Sequence, residues 1–313
     1  MQLRIGHLST FYHTSVLLMA QGDLDKLLGH DVLWTLFGTG PSIIEAFERD
    51  EIDMAYIGLC PVIIGIDRGI KIKCIAGGHI EGTVIASRSD IRGYPEISDL
   101  KEILNQLSGY RVGVPGTGSI HDVIAKETLE RFNLRESIEV VNFKWADHAL
   151  EAFVRGEIMA VVGTPALAVA VKRFAKGKIL YPPSMLWPNN PSYGIVVSQR
   201  LLDEDKDILE RFLLIHEDAT GLLRDKPKEV SDIISRYIGI VDRDFIFETT
   251  MVSPRYCAQL TEGYIKATMG FVEVMKRLGY ITRDIGREEI FETSIIRTVH
   301  DSGDHYNLKR RPQ

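Results

Sequence analysis

The sequence predicts an α/β fold with two lobes. Short apolar runs typical of buried strands repeatedly lead into a turn rich in Gly, Ser and Thr, and then into a helix. Such alternation of strands and helices predicts mostly parallel sheets. At 313 residues, of which 45% are hydrophobic, the chain is longer than a single core usually grows, and this favours two lobes.

The clearest strand–turn–helix unit begins at residue 54. A strand at 54–57 runs into a Gly-Leu-Cys-Pro turn and then into an apolar helix at 62–66. Pro61 falls near the first helical position, where its missing N–H costs least. A turn of this kind presents backbone N–H groups at a helix N-terminus, whose partial positive charge suits an anionic or strongly polar ligand.

The same construction recurs at four further strand ends. In open α/β sheets, ligands bind outside the carboxyl ends of the strands, so these loops are expected to converge on one crevice. The strands are predicted at 4–6, 33–37, 111–114 and 160–162, and their helices from about residue 13 and at 43–50, 120–132 and 166–174. Further strands are predicted at 72–76, 83–86, 138–142, 178–181 and 192–198, and longer helices at 203–223 and 252–278.

Two crossings between the lobes are predicted. The strand at 83–86 is expected to close the first lobe, and a polar connection at 87–95 leads to the second. Prolines at 182, 183, 188 and 191 mark the end of the second lobe, because proline fits neither a helix interior nor a central strand. The predicted division is 1–89 with 192–282 for lobe 1, 90–191 for lobe 2, and 283–313 for a C-terminal extension.

The C-terminal extension is polar and is expected to be a mobile tail. His300, Asp301, Asp304 and His305 lie close together in it and could form a metal site, but the mobile tail is the favoured interpretation and no metal site is predicted. The basic end at 309–311 is expected to be solvated. No cofactor is predicted for the chain.

Composition excludes several classes of protein. A net charge of −6 and a pI near 5.9 give no sign of a nucleic-acid-binding surface. Cys60, Cys74 and Cys257 form no CxxC pair, so neither a disulfide framework nor a cysteine zinc site is indicated. No apolar run is long enough to span a membrane, and residues 1–6 begin a strand without a signal-peptide core. The protein is expected in the cytoplasm, or outside it if an export segment was removed.

Several segments resemble the solute-binding proteins of ABC importers for nitrate, sulfonates and taurine. They are the segment 53–58, the helix that ends at 66–69, the strand at 72–76 with Gly77 and Gly78, the segment 109–115 leading to Ser119, and the step from 149–153 to 156–160. The resemblance covers about residues 2–280. It implies a type II periplasmic-binding-protein fold that closes over a small ligand, about hinges expected near 87–93 and 191–194. It also implies delivery to ABC-importer membrane subunits if the protein is exported.

The resemblance implies ligand contacts at each strand end. The implied residues are Ser9, Thr10, Tyr12, Thr39, Gly40, Leu59, Cys60, Gly78, His79, Thr117, Gly118, Ser119, His121, Thr164, Trp187 and Tyr193. Ordinary structural roles compete with several of these assignments. Hydroxyls at 39, 117 and 119 lie where helix N-caps are expected, Cys60 suits a small apolar position, and Trp187 suits either ring stacking or covering of the lobe surface.

Ligand class and activity stay open at the level of sequence. The predicted loops contain almost no cationic side chain, since Arg4, Lys73 and Lys144 lie outside the loop tips. Backbone N–H groups can hold an anion without a cation, whereas the histidines at 7, 13, 79 and 121 suit a heteroaromatic or polar organic ligand. The alternative is a cytoplasmic enzyme on the same fold, similar to thiamine-pyrimidine synthase or the futalosine-route dehydratases and lyases, with His79 or His121 as its acid or base.

Overall fold

Two five-stranded mixed sheets, one in each lobe, organise the chain. The structure is a computed structural model that describes residues 2–300 and 303–307. The strands are β1 (Leu3–Leu8), β2 (Val32–Phe37), β3 (Met54–Ile57), β4 (Ile72–Ile80), β5 (Val84–Arg88), β6 (Arg111–Pro115), β7 (Glu139–Phe143), β8 (Ala160–Gly163), β9 (Gly177–Ile179) and β10 (Pro191–Ser198). The first sheet has the order β2-β1-β3-β10-β4, and the second has the order β7-β6-β8-β5-β9.

Helices cover the sheets and follow most strands. They are α1 (Thr14–Gln21), α2 (Leu24–Leu28), α3 (Gly40–Glu48), α4 (Leu59–Asp67), α5 (Leu100–Asn105), α6 (Ile120–Arg131), α7 (Ala146–Val154), α8 (Pro165–Phe174), α9 (Pro183–Leu186), α10 (Gln199–Glu204), α11 (Lys206–Asp225), α12 (Pro227–Ile238), α13 (Arg243–Val252), α14 (Glu262–Arg277), α15 (Arg287–Ile290) and α16 (Ser294–Val299). The predicted α/β architecture of two lobes is confirmed. Within the described residues, no helix is both long and apolar enough to cross a bilayer.

Each sheet contains an antiparallel strand that directly follows a segment of the other lobe in the chain. In the first sheet β10 lies between β3 and β4 and is antiparallel to both, whereas β1 is parallel to β2 and β3. In the second sheet β5 is antiparallel to β8 and β9. The start of β10 therefore lies at the same sheet edge as the carboxyl ends of the parallel strands.

The strand β5 was expected in the first lobe, and this expectation is wrong. Val84 is paired with Gly163 of β8, and Ala86 with Ile179 of β9, so β5 belongs to the second sheet. The strand is buried on both faces along most of its length, and such an apolar run fits either sheet equally well. The first crossing is therefore formed by residues 81–83, and not by 87–95.

The two crossings lie side by side. Glu81 donates its backbone N–H to the carbonyl of Asn190 at 2.8 Å, and its Oε1 accepts the N–H of Asn189 at 3.0 Å. Arg255 pairs with the other oxygen of the same carboxylate at 3.0 Å. The return crossing thus ends at Asn190, so the crossings lie at 81–83 and 189–190, and not at the segments 87–93 and 191–194 where hinges were expected.

The predicted long helices are interrupted. Asp205 separates α10 from α11, and its carboxylate caps α11 by accepting the N–H of Ile208 at 3.0 Å. The predicted helix at 252–278 is in fact the last residue of α13, an irregular segment and α14. Pro254 disfavours a helical conformation at Ser253, and Thr261 begins α14 as its N-cap.

The C-terminal extension packs on the first lobe, which contradicts the mobile tail expected for it. Five side chains between 285 and 296 are buried, namely Ile285, Ile290, Phe291, Ile295 and Ile296. Tyr306 is also buried, and its hydroxyl donates to the carbonyl of Gln259 at 3.2 Å. These apolar residues are too widely spaced among charges to form a recognisable stripe in the sequence. The basic end at 309–311 lies outside the described residues.

Candidate ligand-binding cleft

A cleft lies between the two lobes, where the strand ends converge. The space between its walls is about 740 Å³ when the part open to solvent is included. Half of the residues implied by the resemblance line this cleft. They are Ser9, Thr10, Tyr12, Thr39, Gly40, Ser119, His121 and Thr164. Their contact with a ligand stays a prediction, whereas their convergence from both lobes is a property of the fold.

Six helices begin at the cleft wall, three from each lobe. The N-cap residue of each one lines the cleft. These N-caps are His13 of α1, Thr39 of α3, Gly58 of α4, Ser119 of α6, Trp145 of α7 and Thr164 of α8. Each of these helices has at least eight residues and carries a partial positive charge at its N-terminus. The cleft therefore favours electronegative or anionic groups.

His13 is the most unusual polar group in the cleft. Its side chain is only 1% exposed, and neither ring nitrogen has a hydrogen-bond partner. The imidazole packs against Tyr193, with the ring centroids 4.0 Å apart, and edge-on against Tyr12 at 4.7 Å. A buried polar group without a partner costs free energy, about 1–3 kcal/mol. A ligand that reaches His13 would remove this cost.

Four buried histidines are neutral at pH 7. They are His13, His79, His121 and His216, and we call them the four-histidine group, since His7 and His300 are buried as well. Burial lowers the pKa of His79, His121 and His216 to about 4. The pKa of His13 is lowered well below its usual value, first by burial and then by neighbouring histidines. Each neutral ring offers one N–H donor and one acceptor nitrogen.

His121 lies on the wall that the second lobe provides. Its Nδ1 is 3.0 Å from the hydroxyl of Thr83, which belongs to the first crossing. This contact ties the first turn of α6 to the crossing between the lobes.

The hydroxyl groups of the cleft divide into caps and uncommitted groups. Ser119 and Thr164 are N-caps that accept the N–H groups of Asp122 and Leu167, each at 3.2 Å. Thr39 makes no capping bond and lies 3.2 Å from the hydroxyl of Ser42. The capping role that competed with ligand binding therefore holds for Ser119 but not for Thr39.

Trp145 of the second lobe covers the strand end of the first. A Cβ atom added to Gly38 would lie 2.8 Å from the indole ring, closer than real Cβ contacts. Thr39 comes similarly close to Gly116, whose added Cβ would lie 3.2 Å from the Cβ of Thr39. The lobes therefore meet at the cleft in a closed arrangement, with an aromatic surface on one side.

No lysine or arginine side chain lines the cleft in the described part of the chain. Arg4 lies at the opposite end of β1, where its Nε donates to Asp53 at 3.0 Å. Among the described residues, Asp147 is the one acid on the cleft wall, and it is exposed. Positive potential in the cleft therefore comes from helix N-termini and not from cationic side chains.

The other eight implied residues do not line the cleft. Leu59 and Cys60 are fully buried in the first turn of α4, and burial raises the pKa of the Cys60 thiol well above its usual value. Cys60 thus acts as a small apolar group. Thr117 is exposed beside the cleft, and the space next to Gly118 is filled by Ile64.

Gly78 and His79 lie inside β4, because this strand continues to Ile80. A Cβ atom on Gly78 would clash with the ring of Tyr193, and the Nε2 of His79 contacts the carbonyl of Ser253. Tyr193 is buried as well, with its hydroxyl 3.2 Å from the backbone nitrogen of Thr14. The side chains of His79 and Tyr193 therefore lie in the buried interior beside Gly78 and not on the cleft wall.

Trp187 has the surface-covering role that competed with ligand stacking. Its ring stacks on Phe271 of α14, with the centroids 4.3 Å apart. The contact joins the second lobe to a helix that follows β10. Trp187 is therefore part of the packing between the lobes and not of the cleft.

Several lining residues were not among the implied contacts, and Trp145 and Ser192 are two of them. His13 was considered from sequence only as one of four histidines that suit a polar organic ligand. Trp145 follows β7 directly, so the rule applied to the other strand ends would have found it. Ser192 lies at the start of the antiparallel β10, where its hydroxyl is 3.2 Å from that of Tyr12. Recognising it requires knowing that β10 runs against its neighbours.

Solved structures with this fold include three solute-binding proteins. The alkanesulfonate-binding protein of Xanthomonas axonopodis pv. citri, bound to MOPS, has a TM-score of 0.80 and 17% identity, and the match covers 94% of this chain and 98% of that one. The ligand-binding component of an ABC-type import system from Staphylococcus aureus, with zinc bound, has a TM-score of 0.78 and 18% identity, covering 96% and 99%. The periplasmic nitrate-binding protein of Synechocystis PCC 6803 has a TM-score of 0.76 and 12% identity, covering 96% and 88%.

These similarities confirm the predicted periplasmic-binding-protein fold with two lobes and the predicted resemblance to nitrate- and sulfonate-binding proteins. No curated protein sequence matches the chain. The model of the NMT1-like family matches residues 1–238, which is most of the sequence. The chain therefore belongs to the NMT1-like family.

Proposed function

We propose that this chain binds a small polar or anionic solute between its lobes and delivers it to an ABC importer. The observation that carries the proposal is the convergence of six helix N-termini from both lobes around the unpartnered imidazole of His13. The structural neighbours support it, since they are described as solute-binding proteins of import systems. Function outside the cytoplasm, where such an importer collects its solute, follows from the same proposal.

The cleft wall favours an organic solute that carries an electronegative group. Helix N-termini favour the electronegative part, and the neutral rings of His13 and His121 offer both donors and acceptors. Trp145 and Tyr12 supply aromatic surface for an apolar part. Without a lysine or arginine on the described wall, a bare inorganic anion is held less well than a larger polar molecule.

The proposed mechanism is closure of the lobes about the crossings at 81–83 and 189–190. We divide the chain accordingly into lobe 1, residues 2–81 with 191–300 and 303–307, and lobe 2, residues 84–190. A solute that contacts both lobes stabilises the closed state by its differential affinity. Contacts between the lobes also favour this state. The Tyr280 hydroxyl donates to buried Asp122, and Arg173 pairs with Asp242 at 2.9 Å.

The experiment is a ligand screen on the full chain, with alkanesulfonates, taurine, nitrate and heteroaromatic carboxylates as probes. Each probe is scored by the shift in thermal midpoint, and each hit is then titrated by calorimetry and recovered after incubation. The proposal predicts a hit that binds with a stoichiometry of one per chain and is recovered chemically unchanged.

Turnover of the bound molecule would overturn the proposal and favour the enzyme alternative. His79 is unsuited to act as general acid or base in the cleft, because it lies inside β4 with its Nε2 at the carbonyl of Ser253. His121 does line the cleft. If turnover is observed, its rate in the His121→Gln variant tests whether His121 acts as the acid or base.

A further inference from the structure

A second cluster of ligand-like side chains lies on lobe 1, outside the cleft. Cys257, His300 and His305 each place one metal-ligating atom within 4.8 Å of the others. Glu217 of α11 joins them, because its Oε1 is 3.5 Å from Nε2 of His300 and 3.6 Å from Nδ1 of His305. The Sγ of Cys257 lies 3.4 Å from Nε2 of His300.

These separations are those of a tetrahedral zinc site. Zinc bonds of about 2.0–2.3 Å at tetrahedral angles place neighbouring ligand atoms about 3.3–3.8 Å apart. Three pairs in the cluster already fall in this range. One thiolate, two imidazoles and one carboxylate are also a ligand set typical of zinc.

The surrounding chain holds these side chains in place. Cys257 and His300 are buried, and Nδ1 of His300 has no hydrogen-bond partner. The backbone N–H of Cys257 donates to Gly78 at 3.2 Å, and the carbonyl of His300 accepts from Gln259 at 3.1 Å. The second oxygen of Glu217 accepts the N–H of Ala258 at 3.3 Å, so that its first oxygen is left for the histidines.

We propose that Cys257, His300, His305 and Glu217 bind one Zn²⁺ ion. Because four protein side chains complete the tetrahedron, the site is structural and not catalytic. It joins α11, the segment before α14 and the C-terminal segment, none of which shares residues with the cleft. The Nη1 of Arg224 lies 3.2 Å from Nδ1 of His305, so metal binding through this nitrogen requires Arg224 to move away from it.

Of the four charged or ionisable residues near the C-terminus, which are His300, Asp301, Asp304 and His305, only the two histidines are ligands in this site. Asp304 instead accepts the N–H of Tyr306 and the side-chain amide of Asn307, each at 2.8 Å. Asp301 lies outside the described residues. The two remaining ligands, Cys257 and Glu217, are distant in sequence, and this explains why no metal site was predicted from the motif.

The test measures zinc uptake by the full chain after removal of metal with a chelator. Calorimetric titration with zinc chloride is carried out on the wild type, on His305→Gln and on the matched control His148→Gln, which changes an exposed histidine. The proposal predicts one zinc per chain in the wild type and the control, and affinity at least about 10-fold weaker in His305→Gln. Zinc should also raise the thermal midpoint of the wild type but not that of His305→Gln.

Cobalt substitution tests the thiolate separately. Co²⁺ in the proposed site should give a thiolate-to-metal charge-transfer band, and this band should be lost in Cys257→Ser. Failure of the folded wild type to take up zinc would overturn the proposal. So would equal affinity in His305→Gln and His148→Gln, or a cobalt spectrum without the thiolate band.

Discussion

Replacing His13 with leucine should stabilise the ligand-free protein and weaken ligand binding at the same time. Both ring nitrogens of His13 are buried without partners, so the folded state carries an uncompensated desolvation cost. Leucine has a similar size and no polar atoms. Removing the unpartnered groups should therefore raise the free energy of unfolding by about 1–2 kcal/mol. Most core substitutions have the opposite sign, so this gain is a specific test of the contacts at His13.

The loss of affinity follows from the same two nitrogens. A buried hydrogen bond between the ligand and His13, once removed, costs about 1–3 kcal/mol, which is a factor of roughly 5 to 150 in the dissociation constant. Urea unfolding of the ligand-free protein measures the first quantity. Calorimetric titration with a ligand found in the screen measures the second.

His7→Leu is the matched control for this experiment. His7 is also buried in lobe 1, but its Nδ1 lies 3.2 Å from the carbonyl of Leu8 and its ring packs edge-on against Trp34. Because His7 does not line the cleft, this variant should lose stability and keep its affinity. A His13→Leu protein that is less stable than wild type and binds with unchanged affinity would refute the reasoning.

Three further predictions concern the cleft and the buried histidines. Gly38→Ala should weaken ligand binding by about 1–3 kcal/mol in calorimetric titration, because the new methyl group meets Trp145 when the lobes are closed, and an unchanged affinity would contradict the closed arrangement. Ser119→Ala should lower the free energy of unfolding by about 0.5–2 kcal/mol in urea, since it removes the cap on the N–H of Asp122, and wild-type stability would contradict that role. The residues of the four-histidine group have lowered pKa values, so the unfolded chain binds more protons below its histidine pKa of about 6.5. Stability should be complete above that pH and should fall toward pH 4, by up to about 1.4 kcal/mol per pH unit for each histidine, and equal unfolding free energies at pH 7 and 5 would contradict this.

Local patterns in the sequence were sufficient to predict the strand ends and the helices that follow them. Gly58 and Pro61 fix the start of α4 through backbone constraints that act within a few residues. Such constraints also explain why Thr39 and Ser119 were expected at helix N-caps and do line the cleft. The rule that loops at the carboxyl ends of parallel strands meet at one crevice needs only the direction of each strand, and the sequence pattern supplies that direction.

Features that depend on pairing between distant segments were not predictable in this way. The register of β10 against β4 places the ring of Tyr193 over Gly78, and this removes both from the cleft. Both sheets accept the apolar strand β5, so its location depends on which partner pairs with it. The burial of the extension likewise depends on contacts with β4, such as the bridge between Cys74 and Phe291.

The most direct test of the central claim is native mass spectrometry of the gently purified full chain, followed by denaturing release of any bound molecule. We expect wild type and His7→Leu to retain one small polar molecule per chain, and His13→Leu to lose it. Equal retention by His13→Leu would contradict the account, because the bound molecule would then not depend on the cleft between the lobes.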